Sequence, residues 1–165
     1  MNQDHPLKLN LRKVANCLNG ILSPSQIRKI TAELHRNVRL ALQLSECHLH
    51  SARAARTHGA GAWRQVVSRG YYCCYCASRA VRLAETGSFS METDDHKKIG
   101  DLPTGFPSGA LWADILTKFR ADRNLADYDH SVRVTALEYT ATKYLTHAEN
   151  FLKEVKKYLR IEGVL

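Results

Sequence analysis

Apolar residues recur at helical spacing in four stretches of the chain, and no stretch reads as a strand. Ile27, Ile30, Leu34, Val38 and Ala41 form the first stripe. Ser23-Pro24-Ser25-Gln26 precedes it as a helix start: Ser23 can cap, Pro24 fits the first turn, and Gln26 can reach back. This helix is predicted to run to about Arg56 and to stop before Gly59-Ala60-Gly61. A second helix is predicted from near Ala62 to near Gly87, with Val67, Tyr71, Cys74, Ser78 and Val81 on one face. Gly70 inside it costs about 1 kcal/mol relative to alanine, which points to a close helix contact. Leu111, Ile115, Leu116 and Phe119 mark a third helix, predicted to end between Arg120 and Arg123. The last is predicted to begin between Asp129 and Val132. It carries Val134, Leu137, Ala141, Tyr144, Leu145, Ala148, Phe151, Leu152, Val155 and Leu159 and stops at Gly163.

Between the second and third helices, residues 87 to 108 hold Pro103 and Pro107 with Gly87, Gly100 and Gly105. They predict a long connection with one short helical turn around Asp95 to Ile99. Long loops in compact domains are often functional. The expected architecture is an all-α bundle of four main helices in a single domain, residues 1–165, with its core at about residues 24–160. Residues 1–22 are expected to form an N-terminal arm or a short helix.

Composition adds bounds to that picture. A chain of 165 residues with 44% apolar residues can bury a core. No run approaches the roughly 20 apolar residues of a membrane span. Met1-Asn2-Gln3-Asp4-His5-Pro6 lacks the basic-then-apolar pattern of a signal peptide, so a cytoplasmic location without a membrane partner is expected. The five cysteines, Cys17, Cys47, Cys73, Cys74 and Cys76, are odd in number and crowded, unlike a secreted disulfide framework or a zinc site. They read as small reduced core residues, and no metal or cofactor is expected. Net charge is +8. Between Arg28 and Arg82 lie ten Lys or Arg against only Glu33 and Glu46, so the rest of the chain is neutral overall. That asymmetry fits an anionic partner as well as it fits a solvated, soluble surface.

The stretch that carries most chemistry is Arg123-Asn124-Leu125-Ala126-Asp127-Tyr128-Asp129-His130. Arginine offers a planar fork of donors to phosphate, and histidine moves protons near neutral pH. With Arg123 at the end of one helix and His130 at the start of the next, both fall at one end of the bundle. Helix-start N–H groups would attract phosphate and disfavour a protonated imidazole there. Arg123 can then stabilise charge on a scissile phosphate while His130 serves as acid or base. The purely structural reading pairs Arg123 with Asp127 or Asp129 and leaves His130 as a solvated capping residue.

The same stretch resembles the R-x4-6-H signature of the HEPN superfamily, and its Ala-Asp-Tyr-Asp core resembles the branch often paired with minimal nucleotidyltransferases. Ser68-Arg69-Gly70-Tyr71-Tyr72-Cys73-Cys74-Tyr75-Cys76-Ala77-Ser78-Arg79-Ala80 is similar to that branch's R-x-Y-Y-A-x-F-x-A-A-R-A stretch. Ala148-Glu149-Asn150-Phe151-Leu152-Lys153-Glu154-Val155 resembles its closing helix. In order, the three cover about Ile27 to Leu159.

The resemblance implies an up-and-down four-helix bundle and metal-independent endoribonuclease action. It implies a cleft shared across a homodimer, with Arg123 and His130 of each subunit facing it, and products with 2′,3′-cyclic phosphate and 5′-hydroxyl ends. It further implies a toxin or antiphage effector held by a nucleotidyltransferase antitoxin. Its non-catalytic members imply an alternative, a binding module for a nucleotidyltransferase or nucleic acid.

Asp127, Tyr128, Arg69, Tyr72 and Arg79 are candidate supporting or substrate-binding residues. Tyr71 or Tyr72 can reach the Asp127–Tyr128 turn, or both can be core aromatics with a polar tip. His96, after Asp94 and Asp95, is expected to be a solvated loop residue, with an approach to RNA as the alternative. His48, His50 and His58 are expected to extend the basic field. Ser131 and Val132 follow His130, so the tyrosine of the R-x4-H-x-Y toxin subgroup is absent.

Overall fold

The first helix begins where a serine and a glutamine cap one another. Ser23 Oγ accepts from the Gln26 N–H at 3.3 Å, and Gln26 Oε1 accepts from the Ser23 N–H at 2.8 Å. This reciprocal box satisfies donors that have no partner inside the helix. The computed structural model describes residues 20–87 and 93–165. Most of the expected N-terminal arm, Cys17 included, therefore lies outside the described residues. Four α-helices make the bundle: α1 (Pro24–Thr57), α2 (Trp63–Thr86), α3 (Gly109–Tyr128) and α4 (Ala141–Ile161). Short 3-10 turns lie at Ala60–Ala62, Thr93–Lys98 and Val134–Ala136. No strand occurs among the described residues, and no helix there is long and apolar enough to cross a membrane.

Helix α2 is the centre of the bundle, packed by the other three. A helix clothed on several sides must be apolar around most of its circumference. Accordingly Val66, Val67, Tyr71, Cys73, Cys74, Cys76, Ala77, Ala80 and Val81 are all buried. Cys73, Cys74 and Cys76 are free thiols in this core, as expected, whereas Cys47 is exposed. Helix α2 stops at Gly87, whose φ of 72° is the left-handed conformation that glycine adopts without penalty. Helices α1 and α4 each present one stripe to it. Leu34, Val38, Leu42 and Leu49 do so from α1, and Tyr144, Ala148, Phe151 and Val155 from α4. Phe119 of α3 closes the core on Tyr144, with ring centroids 4.2 Å apart.

Gly70 is buried and faces α4, but the close helix contact expected from the sequence is not found. A Cβ there would lie 3.7 Å from Tyr144 Cδ1, an ordinary van der Waals contact. The backbone is helical, so the entropic cost of glycine has no steric return. Gly70→Ala is expected to stabilise the fold by about 0.5–1 kcal/mol, read as a higher midpoint in urea. A loss of stability would show that α2 and α4 sit closer than this contact implies.

The boundary between the last two helices differs from the sequence expectation. Helix α3 continues through Arg123 to Tyr128, and α4 does not begin until Ala141. Residues 129–140 form an irregular connection instead of the first turns of α4. Val132, Val134 and Thr135 are β-branched and weak helix formers. Asp129 Oδ1 accepts from both the N–H (2.8 Å) and the hydroxyl (2.7 Å) of Ser131, a local turn that competes with helix. The decisive pull is non-local. Buried Asp122 accepts from the Glu138 N–H at 3.0 Å and the Tyr144 hydroxyl at 2.6 Å, tying the connection down. Thr140 then caps the true start of α4 through the Lys143 N–H.

Candidate functional site

Arg123 lies inside α3, five residues before its end, and points at α2. One terminal nitrogen donates to the Tyr72 hydroxyl at 2.6 Å and the other to Asn124 Oδ1 at 3.2 Å. Nε approaches Asp127 Oδ2 at 2.7 Å, one helical turn on, as a charge pair without hydrogen-bond alignment. The guanidinium carbon sits 5.2 Å from the ring centres of Tyr72 and Tyr128 and 5.6 Å from that of Tyr71. The pairing of Arg123 with Asp127 is thus realised. Guanidinium has five N–H donors, and with Tyr72, Asn124 and the Tyr128 hydroxyl as partners at least one terminal N–H is left for a ligand.

His130 follows the C-terminal end of α3 and does not open α4. The favourable field of a helix start, expected from the sequence, is therefore absent at this imidazole. The side chain is exposed, and no hydrogen bond or ion pair joins it to Arg123 among the described residues. Its backbone is nevertheless fixed. Arg64 at the start of α2 donates to the carbonyls of Ala126 (2.6 Å), Asp129 (2.9 Å), Val132 (3.2 Å) and His130 (3.4 Å). A cation suits the negative end of α3, and it satisfies carbonyls that the helix leaves over. Sequence reasoning passed over Arg64, because nothing local shows that an arginine on α2 caps a helix 62 residues later.

The larger surprise is His96, which is packed and not solvated. Its Nδ1 lies 2.7 Å from the Tyr71 hydroxyl. Its ring stacks on Tyr75 with centroids 4.2 Å apart and planes 18° apart. The anchor is its neighbour, Asp95, buried to 1% exposure. Asp95 accepts two forked bonds from Arg82 at 2.9 and 3.1 Å and one from the Tyr75 hydroxyl at 2.8 Å, while Arg79 stands 3.6 Å away. Burial alone would raise the Asp95 carboxyl, but the Arg82 fork and the Tyr75 hydroxyl outweigh it and hold it below the usual carboxylate range. Burial, then the Arg123 charge, push the His96 imidazole below its ordinary value, with Asp95 opposing. The neutral imidazole is therefore the favoured form of His96 near pH 7. Burial pushes the Tyr71 phenol far above its usual range, so it stays protonated.

The remaining sequence candidates divide. Tyr72 meets Arg123 directly and does not reach the Asp127–Tyr128 turn; Ser68 approaches Asp127 instead, at 3.5 Å. Tyr128 is exposed beside the guanidinium. Arg79 serves the Asp95 anchor. Arg69 lines a separate polar cleft with His50, His58 and Gln65. His48 does not extend the basic field, because it stacks on Tyr72 and both burial and the Arg69 charge lower its pKa. The field itself is diluted in space: Glu149 pairs with Arg53, and Arg64 and Arg82 are spent inside. Among the described residues no group of three or more His, Cys, Asp or Glu is placed to hold a metal.

What this arrangement offers an anion is a guanidinium pre-positioned by Tyr72 and Asp127, on the same pair of tyrosines that the His96 ring meets. Compared with protein-family models, with curated proteins and with solved structures, the chain matches none.

Proposed function

We propose that the chain is a metal-independent endoribonuclease of HEPN type, in which Arg123 holds the phosphodiester and His130 moves the proton. The observation that carries this reading is Arg123 itself. It is a largely buried arginine, oriented by Tyr72 and Asp127, with an N–H donor left over and an exposed histidine seven residues on. Orientation before binding is what electrostatic stabilisation of a developing phosphorane charge requires. The R-x4-6-H resemblance supplies the rest: a cleft completed by a second copy of the chain, and a toxin or defence role under a nucleotidyltransferase antitoxin. In the reaction His130 takes the proton from a ribose 2′-hydroxyl or returns one to the departing 5′-oxygen.

A second reading has its own observation. Asp127 neutralises Arg123, and no described partner orients the His130 ring, which suits a non-catalytic module that binds RNA or a nucleotidyltransferase. The two part on one assay. Purified protein is incubated with a defined RNA in excess chelator, and the product ends are analysed. The enzyme reading expects cyclic-phosphate and 5′-hydroxyl ends at an undiminished rate. Binding that weakens steeply with salt, without cleavage, would favour the module.

A further inference from the structure

The two residues that hold Arg123 and His96 are adjacent on one helix. Tyr72 takes Arg123 at 2.6 Å, and Tyr71 takes His96 at 2.7 Å. Arg123 stands over both rings, and the His96 ring lies 5.9 Å from Tyr71 and 6.1 Å from Tyr72, centre to centre. The tyrosine pair is thus a ledge that holds both a guanidinium and an imidazole, close enough for the Arg123 charge to act on His96. Two elements far apart in sequence are brought there by different anchors, Asp127 for Arg123 and Asp95 for His96.

The ledge also selects the histidine tautomer. The Tyr71 phenol keeps its proton and has no other acceptor among the described residues, so it donates to Nδ1. The ring proton of neutral His96 then sits on Nε2. That N–H has no partner among the described residues. A neutral N–H donor on the same ledge as an unspent N–H of a guanidinium suits the two non-bridging oxygens of a phosphodiester.

We infer that His96 and Arg123 together form a binding site for an RNA phosphodiester, with Nε2–H of His96 donating to the phosphate that Arg123 engages and Tyr71 positioning the imidazole. The site rests on the reading of Arg123 as a phosphate ligand. It does not require His130, and it gives the 3-10 turn Thr93–Lys98 a part in recognition.

The test uses a 2′-O-methyl oligoribonucleotide, which lacks the attacking hydroxyl and cannot be cut. Titrated into the full chain labelled with nitrogen-15, it is expected to move the His96 Nε2 resonance, in the His130→Ala protein as well. His96→Ala is expected to weaken binding about tenfold or more, the scale of a hydrogen bond to a charged group. Tyr71→Phe keeps the ring and its packing. It is expected to weaken binding less and to shift Nδ1 away from its hydrogen-bonded position, a change that simple loss of packing would not produce. RNA that binds without moving the His96 ring, or that binds His96→Ala as tightly as wild type, overturns the site. Failure of the nuclease reading looks different: His96 responds and its variants bind weakly, yet natural RNA is never cut. Cleavage that depends on His130, with affinity indifferent to His96, leaves the nuclease and removes this site. No binding of RNA at all overturns both.

Discussion

Asp95→Ala is expected to cost about 3–5 kcal/mol of folding stability, more than any surface change in this chain. The carboxylate is 1% exposed and its fork partner, the Arg82 side chain, only 12%. Removing the acid leaves a guanidinium charge largely out of water, with the Tyr75 hydroxyl unpaired as well. The cost therefore exceeds the modest net worth of the pair itself. The same change unpins the Thr93–Lys98 turn and so frees His96 from the tyrosine ledge. Urea denaturation checks the first effect, and a change under about 0.5 kcal/mol would contradict it. The pH dependence has a fixed sign. The folded-state pKa of Asp95 lies below its ordinary 3.8. Its stabilisation is present above that value and is lost as pH falls through the lower, folded-state value. The gap between wild type and Asp95→Asn is thus expected to be constant near neutrality and to narrow only in strong acid.

His130→Ala is expected to reduce RNA cleavage by about 100- to 10,000-fold, the usual contribution of a general acid or base. The melting temperature is expected to stay where it is. The reason is specific to this site: the imidazole is exposed, and the bond that holds position 130 is made by its carbonyl, which alanine retains. Arg123→Ala is a poorer probe of chemistry, because it also strips partners from Tyr72 and Asp127 and so mixes stability with function. A fall in melting temperature in His130→Ala equal to its loss of rate would reassign His130 to structure.

Local signals were legible where local physics decides. The Ser23 and Gln26 box, the buried face of α2 through Val67, Tyr71, Cys74, Ser78 and Val81, and the stop at Gly87 are each set by neighbours within a turn or two. The chain from Asp129 to Thr140 was misread because the apolar spacing of Val134, Leu137 and Ala141 continues the phase of α4. What breaks the helix is the reach of Asp122 to the Glu138 N–H, across sixteen residues. At the candidate site, Arg123 and Asp127 were legible as a pair one helical turn apart. His96 was not, since the tyrosine that orients it lies twenty-five residues away on another helix. The lesson is physical: a loop histidine looks solvated in sequence, and only the Asp95 anchor next to it explains why it is packed.

Wild type and His130→Ala, side by side on total cellular RNA in excess chelator, test most directly the proposed cutting of RNA by a histidine just past the end of α3. Cutting by wild type alone, leaving cyclic-phosphate ends, is the expected result. Equal cutting by both proteins, or cutting that chelator abolishes, would contradict it.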